Sequence, residues 1–346
     1  MLKALAILAS AVAVFFAACM VFPAPNMTLL PLTVATPELA HWFFLFDLAV
    51  AAFGFVCFRP AAYWALVSAL IAAWPLVLTA KTLQPFRIID TGTIAAETLP
   101  LNMLCYRASG AGLHPAIIDI YGGAWQRGTP RSDEQFNRYM AARGYTVFAI
   151  DYRHAPAFHY PAQIEDVRSA IAFIHGHAIE YGADANKLVL CGRSAGGQLA
   201  LLAAYEPGAL PVRGVISFYG PSDLANGYRH PPSPDPIDNP AVLSTYIGGV
   251  PDRLPDLFRA ASPFTFANLR QPPTLLIQGS RDHIVKAEFA RNLEATLLAA
   301  GNRVELLEIP WAEHAFDAVF SGLGNQLALG KIEQFLRSVL EPWPQN

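Results

Sequence analysis

The chain has 346 residues and a formal net charge of −3, with 15% charged and 53% hydrophobic residues. That charge balance offers no basic face for nucleic acid, and the length suits one large domain with an appendage better than one average domain. The apolar excess is concentrated at the N-terminal end.

Three runs there have the length of a membrane span. Ala4 to Phe22 is uncharged, Leu39 to Phe58 is apolar except for His41 and Asp47, and Ala61 to Ala80 carries no charge. Each is about 20 residues, enough for a hydrocarbon core of about 30 Å. Only Arg59-Pro60 separates the second from the third. As one helix they would extend about 60 Å, so a helical hairpin turning at "FRPA" is expected. For residues 1–22 the alternatives to a retained span are a cleaved signal starting at Lys3 and a lipidated Cys19 after "FAAC". For the other two runs the alternative is a buried soluble helix pair. The Pro23–Glu38 connection, read as a loop, has no lysine or arginine. With Lys3 and Arg59 in the cytoplasm it lies outside, and so does everything beyond the third span. Lys81 and Arg87 argue the other way. Asp47, mid-span, is expected to be protonated or paired. The division expected is therefore membrane helices over 1–84 and a second domain over 85–346.

Beyond residue 84 the pattern changes. "FRIIDTGTI" and "TLPLNMLCYR" read as two antiparallel edge strands, and "PAIIDIYGGAW" as a buried strand entering a glycine turn. "SDEQFNRYMAARG" reads as a helix capped by Ser132 and closed at Gly144. "YTVFAIDYR" is a strand, and Pro161 opens a helix to about Tyr181. "KLVLCG" is a strand, "AGGQLALLAAY" the helix behind it, and "VRGVISFYG" the next strand. Pro221–Leu269 reads as an irregular, cap-like segment. "PTLLIQGSRD", a helix over Ile284–Ala300, "RVELLEIP" and "NQLALGKIEQFLRSVL" complete the alternation. Strands alternating with helices predict an α/β fold, a mostly parallel sheet covered on both faces. Sites in such sheets form beyond the carboxyl ends of the strands.

Three strand-end loops carry reactive side chains. "LCGRSAGG" brackets Ser194 with Gly192 and Gly196 in the G-x-S-x-G pattern, between an apolar strand and a helix. A strand turning sharply into a helix leaves that serine oxygen exposed above the sheet. Asp282 follows "LLIQG" and His314 follows "LLEIP", giving the order Ser, Asp, His. Competitors are placed less well: His283 would point away from its neighbour, Asp317 lies past the histidine, His154 and His159 shape a loop, and His175 and His177 sit on a helix. An oxyanion needs backbone donors. The N–H of Ala195 is one, and the "YGGAW" loop supplies Gly123 and Ala124. Trp125, Trp311 and Tyr121 are expected around an apolar pocket, with Phe158 and Tyr160 beside them. The four cysteines have neither disulfide nor metal-ligand spacing, and no motif calls for a cofactor or metal.

Taken together, "YGGAW", "DYRHAPAFHYPAQIEDV", "GRSAGGQLA", "GSRD" and "EHAFD" resemble the landmarks of the α/β-hydrolase superfamily. They are most similar to the hormone-sensitive-lipase-like and BD-FAE-type carboxylesterases over about residues 85–340. The resemblance implies Ser194 as nucleophile, His314 as base, Asp282 as its orienting acid and Gly123, Ala124 and Ala195 as oxyanion donors. It also implies bracing roles for Asp151 and Asp166. Two positions depart from the pattern. Tyr121 stands where the family usually has histidine, and Arg193 precedes the nucleophile where Asp or His is common.

The reading is a membrane-anchored, extracytoplasmic serine hydrolase acting on a small acyl or aryl ester, with the membrane and no nucleic acid as partner. An amidase or arylformamidase-like enzyme, or an acyltransferase, would use the same residues. A catalytically silent membrane-tethered binding protein is the alternative of another class. Arg193 is expected to pair with a carboxylate and brace the serine turn.

Overall fold

The structure, a computed structural model, describes residues 1–79, 84 and 86–340. Lys81 and part of the expected 84/85 division lie outside the described residues. The chain opens with helices α1 (Leu2–Val21), α2 (Leu30–Glu38), α3 (Ala40–Cys57) and α4 (Arg59–Thr79). By length and composition α1, α3 and α4 could each cross a membrane, with mean hydropathies of 2.6, 1.8 and 1.9. The hairpin breaks at Phe58, which is extended (φ −166°, ψ 93°), while Pro60 is absorbed into the first turn of α4, where its missing N–H costs nothing. Phe16 meets Phe43 with ring centroids 4.6 Å apart, and Lys3 Nζ lies 4.6 Å from the Phe58 ring. These contacts make α1 antiparallel to α3. Asp47 is 2% exposed inside this bundle, and its Oδ1 has no hydrogen-bond partner.

The connection expected as a loop over Pro23–Glu38 contains a helix, α2, with Pro31 near its start. A proline in the first turn is compatible with a helix, but short polar punctuation around it hid the element from a periodicity reading.

The rest is an α/β layer structure. Strands β1 (Glu97–Thr98), β2 (Leu104–Tyr106), β3 (His114–Ile120) and β4 (Thr146–Ile150) are followed by β5 (Ala183–Arg193), β6 (Gly214–Phe218), β7 (Thr274–Gly279) and β8 (Val304–Ile309). Among the described residues they form one eight-stranded sheet in the order β1-β2-β4-β3-β5-β6-β7-β8. The β1–β2 and β2–β4 pairs are antiparallel and the remainder parallel. Helices α6 (Ala162–His177), α7 (Ala195–Tyr205) and α11 (Ala287–Ala299) cover one face, and α5 (Glu134–Ala141) and α12 (Leu323–Leu340) the other. Met20, Ala40 and Ala72 of the N-terminal helices join the core on the α12 face.

Three expectations change. Residues 86–94 form no strand: the Ile89 N–H goes to Ser321 Oγ (3.0 Å) instead of a ladder, and the edge is taken by Glu97–Thr98. Ser132 does not cap α5; its Oγ accepts the Thr129 N–H and Asp133 holds the cap position. Pro221–Leu269 is helical rather than irregular, with α8 (Leu224–Arg229), α9 (Asn239–Ile247) and α10 (Pro255–Ala260). The carboxylates of Asp223 and Asp238 accept N–H groups in the first turns of α8 and α9, which is how aspartate starts a helix.

Candidate active site

Strand β5 delivers Ser194 at its carboxyl end, and α7 starts at the next residue. The turn is tight. A Cβ on Gly192 would lie 2.1 Å from the Gly196 carbonyl oxygen, and one on Gly196 would lie 1.9 Å from that of Ile120. No larger residue fits at either position. Ser194 itself has φ 52° and ψ −118°, a strained conformation that lifts its side chain off the sheet.

His314, beyond β8, and Asp282, beyond β7, converge on it. His314 Nε2 is 2.9 Å from Ser194 Oγ, and His314 Nδ1 is 2.8 Å from Asp282 Oδ2. The same Oδ2 accepts from Gln278 Nε2 (2.9 Å), and Oδ1 accepts the N–H groups of Ile284 (2.8 Å) and Val285 (2.7 Å). Asp282 is thus fixed on both oxygens, which favours Nδ1–H on His314 and leaves Nε2 as an acceptor toward the serine. Burial favours the neutral ring of His314. The charge and hydrogen bond of Asp282, with the charges of Glu313 and Asp317, outweigh burial and raise its pKa above the ordinary value.

The competing residues are engaged elsewhere. His283 Nδ1 pairs with Glu313 (2.6 Å), and Asp317 binds Arg193 Nε (2.6 Å) and accepts the Tyr219 hydroxyl. His154 Nε2 meets the Tyr121 hydroxyl (2.8 Å) and His159 Nδ1 the Thr245 carbonyl (2.8 Å). His175 is exposed, and His177 stacks on Phe173.

The "YGGAW" loop, after β3, passes over the serine turn. Gly123 and Ala124 line the cavity beside Ser194, and among the described backbone hydrogen bonds their N–H groups donate to none. Ala195 is the first residue of α7, so its N–H has no intrahelical acceptor. Tyr121 lies beneath this loop rather than in a pocket. It is 1% exposed, donates to Asp151 Oδ1 (2.6 Å) and stacks on Tyr152 at 4.5 Å. Its hydroxyl props the strand end from the next loop, which Arg153 and Asp166 pin in turn (2.8 Å).

Ser194 stands between two cavities. The larger, about 860 Å³, is lined by His314, Asp133, Arg127 and Arg131 and by Met27 and Leu30 of the N-terminal segment. The smaller, about 40 Å³, is walled by Trp125, Leu224, Leu243, Val285 and Phe289 and does not include His314. Of the pocket residues expected from sequence, Trp125 lines the small cavity, stacked on Tyr246 at 4.1 Å. Tyr121 and Trp311 line neither, and nor do Phe158 and Tyr160. An aromatic residue next to a motif is drawn into core as readily as into a cavity wall.

Arg193 is 6% exposed. Its guanidinium meets Asp119 (2.9 Å), Asp317 (2.6 Å) and Asp133 (3.4 Å) and lies over the rings of Phe136 and Phe218. These partners come from β3, the start of α5 and the loop carrying His314. Sequence spacing does not bring them together; only the parallel order of β3 and β5 does.

The sequence profile of the BD-FAE family matches residues 104–297, more than half of the chain. The chain belongs to this family. The architecture is the α/β-hydrolase fold. Est2, a thermophilic esterase from Thermogutta terrifontis, superposes with a TM-score of 0.60 at 26% identity, covering 74% of this chain and 96% of Est2. Its propionate-bound form gives 0.59 at 25% identity, covering 74% and 98%. The probable carboxylic ester hydrolase LipM of Mycobacterium tuberculosis is 30% identical over 243 residues, 66% of this chain and 55% of LipM. The esterase LipC of the same organism is 35% identical over 222 residues, 59% and 53%. The chain spans about half the length of these curated relatives.

Proposed function

We propose that this chain is a membrane-anchored carboxylic ester hydrolase, with residues 1–84 as its membrane part and 85–346 as its catalytic part. The observation that carries the reading is the chain of contacts Ser194 Oγ–His314 Nε2–Asp282 Oδ2 at 2.9 and 2.8 Å, at the junction of two cavities. Ser194 gives its proton to His314 Nε2 as Oγ attacks the ester carbonyl carbon. The negative oxygen meets the N–H groups of Gly123, Ala124 and Ala195. Asp282 steadies the protonated ring. Collapse of the tetrahedral species breaks the bond to the alcohol oxygen, which leaves with the proton from His314. Water then loses a proton to His314, attacks the acyl carbon, and Ser194 departs with that proton.

Because His314 has to reach the leaving oxygen, the alcohol belongs on the side that His314 lines, the 860 Å³ cavity. The acyl group then faces the 40 Å³ pocket behind Trp125. That space is far smaller than the other, so a short acyl chain is expected. The propionate-bound relative, a three-carbon acid on a similar fold, supports this side of the reading. The names of LipM and LipC support the ester bond.

Ser194→Ala is expected to lower kcat/KM for p-nitrophenyl acetate by about a thousandfold or more and to abolish labelling by a fluorophosphonate probe. Undiminished labelling of the variant would sink the assignment.

A further inference from the structure

The cavity beside Ser194 is not built by the α/β part alone. Met27 and Leu30 belong to the connection between α1 and α3, and both line it. That connection is seated in two places. Ala24, Leu30 and Val34 cluster with Leu29 and Ile284, two residues beyond Asp282. At the end of α2, Glu38 is fully buried and its Oε2 accepts the Gly324 N–H (2.5 Å) at the start of α12. A Cβ on Gly322 or Gly324 would come within 2.6 or 2.7 Å of the Glu38 carboxyl oxygens. The two glycines therefore leave a socket for it.

The same connection is tied to the candidate spans. It leaves α1 at Val21 and enters α3 at Ala40, and Met27, six residues past Val21, lies within about 20 Å of that helix end. At this end of the bundle Trp42 and Phe86, both more than half exposed, pack edge to face at 5.1 Å. An exposed tryptophan at a span end suits the membrane interface. Lys3 and Phe58 mark the opposite end. One wall of the large cavity is thus apolar and continuous with the membrane helices, while Arg127, Arg131 and Asp133 make another wall charged. A space with both an apolar wall and a charged wall suits an amphiphile.

We propose that Met27 and Leu30 are specificity-determining residues and that the substrate is a short-acyl ester of a lipophilic, membrane-dissolved alcohol. The alcohol's hydrocarbon chain lies against these two side chains as it enters from the bilayer. This rests on the hydrolase reading above, since the cavity takes the alcohol only if His314 protonates the leaving oxygen.

The test uses the full-length protein in phosphatidylcholine vesicles with three esters: p-nitrophenyl acetate, hexadecyl acetate and p-nitrophenyl palmitate. Wild type is expected to cleave both acetates and to leave the palmitate at least tenfold behind hexadecyl acetate. In Met27→Ser/Leu30→Ser the ratio of kcat/KM for hexadecyl acetate to that for p-nitrophenyl acetate is expected to fall at least tenfold. An unchanged ratio overturns the proposal, and so does preferred cleavage of the palmitate or no cleavage of hexadecyl acetate. In those cases hydrolysis of p-nitrophenyl acetate, lost in Ser194→Ala, keeps the hydrolase reading standing by itself. If the double variant loses p-nitrophenyl acetate as well, Met27→Trp, at a 43% exposed position, decides by the same ratio.

Discussion

In the proposed reaction His314 acts as a base only after losing a proton, and three carboxylates oppose that loss. Asp282 bonds it directly, and Glu313 and Asp317 add charge from either side of it in sequence. The neutral ring therefore populates at a higher pH than in an ordinary histidine, and activity is expected to follow it upward. Glu313 is 3% exposed. Its Oε1 accepts the N–H groups of His283 and His314, and its Oε2 meets His283 Nδ1. Glu313→Gln keeps an acceptor for those N–H groups while removing the charge. The acidic limb of the kcat/KM profile for p-nitrophenyl acetate is expected to move to lower pH, with the plateau retained. A limb that stays in place would mean that Glu313 does not act on His314 through charge. Arg193 is the complementary case. Its buried guanidinium faces the buried Asp119 and the partly buried Asp133 and Asp317, so removing the arginine would leave their negative charge uncompensated. Burial and the neighbouring Asp133 push Asp119 upward, which Arg193 opposes. The arginine ties β3, the start of α5 and the loop after His314 to the serine turn, more partners than the one carboxylate expected from sequence.

At the scale of elements, the central strands were legible because parallel strands buried on both faces read as unbroken apolar runs. "AIIDI", "VFAI", "LVLC", "GVISF" and "TLLIQ" all form strands, and Ser194, Asp282 and His314 were legible because they stand in the loops after β5, β7 and β8. Segments whose structure depends on partners distant in sequence were not. Residues 86–94 have strand composition but no edge to join. The cap helices carried readable starts, Asp223 and Asp238, obscured by their prolines. Helix α2 carried no periodic signal, and its decisive residue, Glu38, is explained only by glycines almost 300 positions away. Burial drives the Glu38 pKa up to about 8, against the Gly324 N–H it accepts, and the negative charge of Asp317 adds to the rise. The Trp311 indole lies near enough to favour the charged form, yet neither Trp311 Nε1 nor Glu38 Oε1 completes a hydrogen bond. A carboxyl whose folded pKa is raised contributes its full stability below its unfolded value, near 4.5, and loses it as pH rises toward 8. Seating of α2 on α12 is therefore expected to weaken across that window. In detergent, Tm of wild type should fall by several degrees more between pH 5 and pH 9 than Tm of Glu38→Gln, whose side chain does not ionise. Parallel pH dependences would exclude Glu38 as the cause.

At the scale of the molecule, the contact between Glu38 and Gly324 constrains how the chain would cross a membrane. The connection holding Glu38 follows the first candidate span, and the catalytic part follows the third. They meet only if an even number of crossings separates them, and α3 and α4 supply two. The antiparallel packing of α1 on α3 agrees, since it sets Val21, Ala40 and Thr79 at one end of the bundle and Lys3 and Arg59 at the other. Basic residues near short loops favour the cytoplasm, which assigns that side to Lys3 and Arg59. Arg87 lies on the opposite side and weighs against this, but it begins a segment of some 250 residues, and long segments translocate largely regardless of their charge. The 22–39 connection is short, so its lack of lysine and arginine counts. The catalytic part is thus expected outside the cytoplasm, with its large cavity turned toward the outer leaflet. Alkaline phosphatase fused after Leu340 in a bacterial host should be active, and green fluorescent protein at the same position dark. A bright fluorescent fusion with silent phosphatase would place the catalytic part in the cytoplasm. It would leave the Glu38–Gly324 contact intact, because the parity of crossings is the same in either orientation, and would move the lipophilic ester supply to the inner leaflet.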